Sequence, residues 1–369
     1  MIIQNGYVYG EDKKFQKRNL YIENGMIVSD ESQIHDDTVI DATGRFVLPG
    51  LIDIHSHGAC GYDFSDANEK GLRAILRYER SQGITSYCPT SMTLPKETLC
   101  RIFQTAKKIK DGYRCHEEAD VVGINMEGPF LDKEKKGAHK EEYIKEPDIE
   151  LFRYVNQKCD NLIRLVTVTP NSESAIEFIR VLHSEVVISL GHTNADYETC
   201  KRAIELGVHH ITHLFNAMAP LNHRNPGLIG AAIEDDNCMT ELICDGVHIH
   251  ESLIKTAFKI FPERIVLISD SMRATGLKDG TYELGDQLVN VSGKLATLAD
   301  GTIAGSVTNL FDCMRMAISY GIKPEIAIAA ATINPAKSIG IFDKVGSITV
   351  GKKADILVVN NKWELLQVI

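Results

Sequence analysis

Eight short apolar runs that alternate with amphipathic stretches, and two β-rich ends around them, predict an α/β protein. The architecture expected is a (β/α)8 barrel of the TIM type, carrying a small β-sandwich domain formed from both termini. The boundaries that follow are 1–46 plus 345–369 for the small β-domain and 47–344 for the barrel.

At the N-terminal end, Tyr7-Val8-Tyr9, Asn19-Leu20-Tyr21-Ile22 and Met26-Ile27-Val28 are short β-prone runs separated by turn signals such as Asn24-Gly25. A similar run, Ala354 to Val359, follows Gly351 near the other end. In the middle, the candidate strands are Leu51–Ile54, Ile84–Cys88, Val121–Met126, Leu165–Val168, Val186–Leu190, His210–Leu214, Glu241–Cys244 and Ile265–Ser269. Amphipathic helices are expected at Glu69–Ser81, Leu94–Lys110, Ala175–His183, Tyr197–Leu206 and Ser252–Phe261. Apolar strands that alternate with helices are buried on both faces, which is the signature of a parallel sheet.

The bulk properties narrow the function classes. The chain has 369 residues, 44% hydrophobic and 24% charged, ordinary for a soluble globular protein. No run approaches the ~20 apolar residues that span a bilayer, and the first residues lack the basic and apolar regions of a secretory signal. A cytoplasmic protein without a membrane partner is expected. The nine cysteines include no Cys-x-x-Cys pair, which fits reduced thiols in a cytosol. A formal net charge of −10 argues against nucleic acid as a partner, because phosphate backbones are bound by basic surfaces. It leaves room for one small phosphorylated ligand held by a local arginine.

The strand ends carry the chemistry. Strand one runs into Asp53-Ile54-His55-Ser56-His57, and strand three ends at Glu127. Strand five runs into His192, strand six contains His213, and strand eight runs into Asp270. In a barrel these ends surround one mouth. Residues i and i+2 of a strand share a face, so His55 and His57 can reach the same ion. Imidazole nitrogen and carboxylate oxygen suit borderline divalent metals: zinc foremost, with iron, manganese and cobalt sharing these ligands. His55, His57, Glu127, His192 and His213 form the expected ligand set for one or two ions per subunit. Asp270 is best placed as the acid–base group. Any one of these residues alone would read as a core histidine or a helix cap; the joint pattern is what discriminates.

The run Val47-Leu48-Pro49-Gly50-Leu51-Ile52-Asp53-Ile54-His55-Ser56-His57 resembles the opening strand of the amidohydrolase superfamily. Met126-Glu127-Gly128-Pro129-Phe130, Gly137-Ala138-His139, Gly191-His192-Thr193, His213 to Met218 and Asp245-Gly246-Val247-His248 resemble one member family, the N-acetylglucosamine-6-phosphate deacetylases. The resemblance spans nearly the whole chain.

That resemblance implies roles by position. Glu127, His192 and His213 match constant metal ligands, and His55 and His57 a pair present only in members able to hold two ions. Asp270 matches the catalytic acid–base. Ala138, His139, Asn216, Ala217, Arg224 and His248 match sugar and phosphate contacts, and Ile303, Ala304 and Gly305 a further substrate-facing loop. The implied substrate is a small phosphorylated amino sugar. The implied assembly is a homodimer, in which Arg224 reaches the neighbour's site.

Plain alternatives stand beside these roles. His139 lies in a charged stretch and Arg224 in a turn, so each could be solvated. His250, His209 and His210 match no family role. Cys60 and Cys88, near the expected mouth, read as small buried residues rather than thiolate ligands. Among rival activities, dihydropyrimidinase-like enzymes use a carboxylated lysine after strand four, where this chain has Thr169-Pro170. A deacetylase of N-acetylgalactosamine 6-phosphate differs by one hydroxyl and stays open. A non-enzymatic metal-bound barrel would be expected to have lost Asp270 or its ligands.

Overall fold

The structure, a computed structural model, describes residues 1–113 and 115–369. Its centre is a nearly closed barrel of eight parallel strands: Leu51–Ser56, Ile84–Ser91, Ile124–Glu127, Ile163–Val168, Val187–Leu190, His210–Ile211, Met239–Ile243 and Ile265–Ile268. Each pairs with the next in sequence. Strand three is preceded by a short piece, Asp120–Val121, that also pairs with strand two.

No regular ladder joins strand eight to strand one among the described residues. That seam is closed at its C-terminal end by individual backbone bonds. The Asp270 N–H donates to the His55 carbonyl at 2.9 Å, and the His57 N–H to the Ser271 carbonyl at 2.8 Å.

The helices outside the barrel follow the sequence pattern. Glu69–Ser81 is capped by the Asn68 side chain, which accepts from the Gly71 N–H, and it buries Leu72, Ile75, Leu76 and Glu79 along one face. Ser172, Asp196 and Asn309 cap Glu173–Leu182, Tyr197–Glu205 and Leu310–Ser319 in the same way. Strands alternating with such helices bury apolar side chains on the outer face of the barrel.

Residues from both ends build one seven-stranded sheet, in the order Leu365–Val368, Ile356–Val359, Phe46–Pro49, Ile2–Tyr9, Phe15–Glu23, Met26–Val28, with Val39–Asp41 also on Ile2–Tyr9. Ile2–Tyr9 has two parallel partners along one edge, Val39–Asp41 and then Phe46–Pro49. Asn24 and Gly25 both have positive φ, 51° and 73°, as the tight turn between Phe15–Glu23 and Met26–Val28 requires. Ile3, Val8, Leu20, Ile22, Ile27, Val47 and Ile356 share a separate small core. Phe46–Pro49 runs directly into strand one through Gly50, where a Cβ would strike the Thr85 side chain.

One element has no counterpart in the expected pattern. Gly280–Leu284, Gln287–Ser292 and Leu295–Thr297 form a three-stranded antiparallel sheet after strand eight. Its first turn, Gly285-Asp286, has φ of 53° and 62°, the two-residue hairpin geometry.

Candidate metal centre and active site

Several of the expected site side chains sit at breaks in regular strand geometry. His192, His213 and Asp270 follow or interrupt strands five, six and eight with φ of 47°, 26° and 48°, in the left-handed region. That conformation is sparsely populated for side-chain-bearing residues and clusters at functional sites. Gly191 precedes His192 where a Cβ would lie 2.6 Å from the Thr212 Cβ, so strand five passes close to strand six.

The six residues expected to converge do so around Glu127. His192 Nε2 and His213 Nε2 are 3.1 and 3.0 Å from Glu127 Oε1, and 2.9 Å from each other. His55 Nε2 is 3.5 Å from Oε1. His57 Nε2 is 3.3 Å from Glu127 Oε2 and 3.2 Å from Asp270 Oδ1. A seventh group joins them: His139 Nε2 lies 3.3 Å from Glu127 Oε2. All are buried, and the Asp270 side chain is the most open at 12% exposure.

The outer ring nitrogens orient three of the four ligand candidates among the imidazoles, while His213 Nδ1 has no hydrogen-bond partner among the described residues. His57 Nδ1 faces the Thr90 carbonyl at 3.2 Å and His192 Nδ1 the Lys135 carbonyl at 2.7 Å. A carbonyl only accepts, so both Nδ1 atoms carry hydrogen, and Nε2 of the neutral ring points a lone pair inward. His55 reaches the same state through Glu241, 2.9 Å from its Nδ1. His139 is the reverse: its Nδ1 accepts the Thr93 backbone N–H at 3.1 Å, so its Nε2 carries the hydrogen and donates toward Glu127. His139 is thus a hydrogen-bond donor in the site, although its position beside Glu127 and His192 would allow ligation.

The donor set fits a divalent cation. Ligands ~2.0–2.1 Å from a tetrahedral zinc lie roughly 3.3 Å from one another, close to the spacings found between Glu127, His192 and His213. His55 Nε2 is buried with no hydrogen-bond partner among the described residues, as a nitrogen reserved for a metal would be.

Charges in the cluster depend on one another. Burial would push the Glu127 carboxyl up, yet the facing His55 and His139 hold it well below the usual range. Burial likewise opposes the Asp270 anion, but the His57 hydrogen bond and the His55 charge pull it down to about 2. Those two carboxylates raise His57 to about 10 against the cost of burial. A cation competing for the same nitrogens would release protons as it bound. Burial drives His139 down to about 4 despite Glu127, consistent with a neutral donor. His248 is raised: burial disfavours its charge, but Asp245 Oδ2, 2.8 Å from Nδ1, outweighs it.

A cavity of about 350 Å³ opens over this cluster. His57, Glu127, His192, His213 and Asp270 line it, with Ala138, His139, Asn216, Ala217, His248, Ile303 and Gly305 from the expected substrate positions. Ala304 is buried beside it and does not reach the surface. Arg224 does not line it. It lies exposed after strand six, its guanidinium 2.7 Å from His223 Nε2.

The unassigned residues take plain places. His250 caps the helix Glu251–Ile260, His209 pairs with Asp235, and buried His210 meets Ser189 Oγ. Cys88 is buried among Ile52, Ile54 and Leu165, and all nine cysteines are free. Several features escaped sequence reasoning: Met92, Glu134, Lys135, Leu284 and Thr302 in the cavity wall, Asp245 behind His248, and Glu241 behind His55. A carboxylate inside an apolar strand run was the available signal for Glu241, because a buried charge needs a partner.

An eight-stranded parallel barrel with imidazoles and carboxylates gathered at its C-terminal mouth is the framework of a metal-dependent hydrolase. The model of the amidohydrolase family matches residues 46–368. Among relatives, the N-acetylglucosamine-6-phosphate deacetylase of Bacillus subtilis (strain 168) is 39% identical over 376 residues, covering 100% of this chain and 92% of the relative. The human enzyme of that name is 32% identical over 366 residues, covering 94% and 89%. Two solved structures of the same name superpose over 100% of this chain and 97% of theirs. One is from Pasteurella multocida (TM-score 0.92, 27% identity). The other is a mutant from Mycobacterium smegmatis in complex with N-acetyl-D-glucosamine-6-phosphate (TM-score 0.91, 29% identity). The chain belongs to the amidohydrolase family, among its N-acetylglucosamine-6-phosphate deacetylases.

Proposed function

We propose that this chain hydrolyses the acetamido group of N-acetyl-D-glucosamine 6-phosphate, giving D-glucosamine 6-phosphate and acetate. The observation that carries the reading is the Asp270 carboxylate, held as an anion beside His57 and facing a ligand cluster centred on Glu127. Glu127, His192 and His213 would hold one divalent ion and His55 with His57 a second. Zinc suits these ligands best, and iron, manganese or cobalt share them. Such a metal supplies a water of lowered pKa, near ~7, and polarises the amide carbonyl.

The chain's own residues do the rest. Asp270 takes the proton of the attacking water and returns it to the amine nitrogen as the C–N bond breaks. His248, raised above the ordinary imidazole value by Asp245, would donate to the oxygen that gains charge when protonated. His139 and Asn216 orient the sugar. Ala138, Ala217 and the Ile303-Ala304-Gly305 turn shape the wall against it. Arg224, exposed in one subunit, would complete the phosphate site of a partner in a homodimer; its planar fork suits that anion. Residues 1–46 and 345–369 form a small β-domain beside the catalytic barrel of 47–344, corrected at one boundary: strand Phe46–Pro49 belongs to the terminal sheet. Nine free cysteines, and no helix among the described residues long and apolar enough to cross a membrane, support a cytoplasmic site of action.

The test is acetate release from N-acetylglucosamine 6-phosphate, run with and without chelator beside its galacto epimer and the unphosphorylated sugar. Metal-dependent release that favours the gluco 6-phosphate is expected. Preference for the epimer would reassign the substrate, and full turnover in metal-free protein would defeat the mechanism.

A further inference from the structure

Glu241 sits in the middle of strand seven, Met239–Ile243, and is completely buried. One of its oxygens, Oε2, makes two contacts. His55 Nδ1 lies 2.9 Å away, and the His213 backbone N–H donates to it at 3.1 Å. Strands one and six are thereby tied to strand seven through a single atom. The other oxygen, Oε1, has no hydrogen-bond partner among the described residues.

The geometry around His55 is directional. Nδ1 faces Glu241, and Nε2, on the other side of the ring, faces Glu127 at 3.5 Å without a hydrogen bond. A carboxylate oxygen accepts, so Glu241 holds a His55 hydrogen on Nδ1 and leaves Nε2 as the nitrogen that can give its lone pair to a cation in the cluster. His57 and His192 obtain the same tautomer from backbone carbonyls, which carry no formal charge. His55 alone obtains it from a carboxylate, which also makes the ring a stronger donor to a cation. Glu241 stands behind the ring and cannot itself reach an ion held between His55 and Glu127.

We propose that Glu241 is a positioning residue for the second metal position: it sets the tautomer and orientation of His55, and through the His213 amide it couples that position to the first. The inference rests on the metal reading above.

Metal binding by wild type and Glu241→Gln, measured by chelator competition and elemental analysis, tests it. The amide keeps the shape and loses the charge. Wild type should hold two ions. The variant should bind one of them about 10–100-fold more weakly, the usual scale for loss of such a partner, and excess metal should restore kcat. In a His55→Asn background, Glu241→Gln should weaken binding no further, because the two changes remove one interaction. If Glu241→Gln does not fold, the 15N spectrum of wild-type histidines, with His55 assigned from His55→Asn, decides: the Nδ1–H form is required. Two ions bound by the variant with wild-type affinity would overturn the inference. So would additive losses, an Nε2–H His55, or a wild type that holds a single ion. A wild type that binds no ion would instead refute the metal reading itself.

Discussion

Asp245 grips His248 from behind: its Oδ2 lies 2.8 Å from Nδ1, while its Oδ1 accepts the backbone N–H groups of Val247 and His248, both at 2.9 Å. Three contacts to one side chain fix the ring, and the facing carboxylate favours its charged form. Asp245→Asn should lower kcat/KM about 10- to 150-fold, the value of a charge-assisted hydrogen bond of ~1.5–3 kcal/mol. The pH profile gives the sign. Asp245 raises His248 above the ordinary imidazole range, so the protonated ring persists to higher pH and is lost as pH climbs through the raised value. The alkaline limb of kcat/KM should therefore move to lower pH in the variant. A limb that stays in place would assign it to another group. By the same linkage, His248 stabilises the wild-type fold most below the ordinary imidazole range, and that contribution fades as pH rises through the raised value.

Removing metal should abolish turnover, and divalent ions should restore it. His55→Asn/His57→Asn should leave one ion per subunit where wild type holds two, counted by elemental analysis. Equal metal content in the two proteins would exclude the pair as ligands.

Asp270→Asn retains the shape of the side chain and removes the proton acceptor. Its kcat should fall by at least ~10²-fold, with substrate affinity and metal content little changed. Near-normal turnover would move the acid–base role to another residue.

Arg224 is exposed and off the cavity of its own chain. Arg224→Ala should lower kcat/KM for the 6-phosphate about 10- to 150-fold and scarcely affect unphosphorylated N-acetylglucosamine. Mixing Arg224→Ala with Asp270→Asn protomers should recover part of the activity, since one site of each mixed dimer would have both groups intact. No recovery, with subunit exchange demonstrated, would place Arg224 in its own subunit's site. Equal losses on both substrates would make its role structural.

Much of this was legible in the sequence because the barrel puts chemistry where strands stop. Apolar runs located the strands within a few residues, and the polar residue types at their ends pointed to one mouth. His55 and His57 follow from simple alternation on strand one. His192, His213 and Asp270 do not, since a left-handed backbone at each turns the chain in a way no period encodes. The hairpin at Gly285-Asp286 was marked only by a two-residue turn, within a stretch of mixed polarity. Glu241 and Asp245 escaped because their work lies in contacts to residues distant in sequence or behind the ring. For His55 and Glu241 the separation is 186 positions, which local pattern cannot span.

The seam between strands eight and one has a consequence for how the molecule fails. Elsewhere the barrel is held by ladders, but there the join rests on individual bonds, among them backbone bonds of His55, His57 and Gly58 to Asp270 and Ser271 and the Ser56–Ser271 hydroxyl pair. Local opening draws on the least-paired part of a fold, so the first excursion from the native state would part His57 from Asp270 before any helix unravels. Amide hydrogens of His57 and Asp270 should exchange faster than those in the middle of strands four and seven. A ligand bridging the two edges should slow that exchange. Heating should then silence the enzyme at a temperature where its circular dichroism is still native.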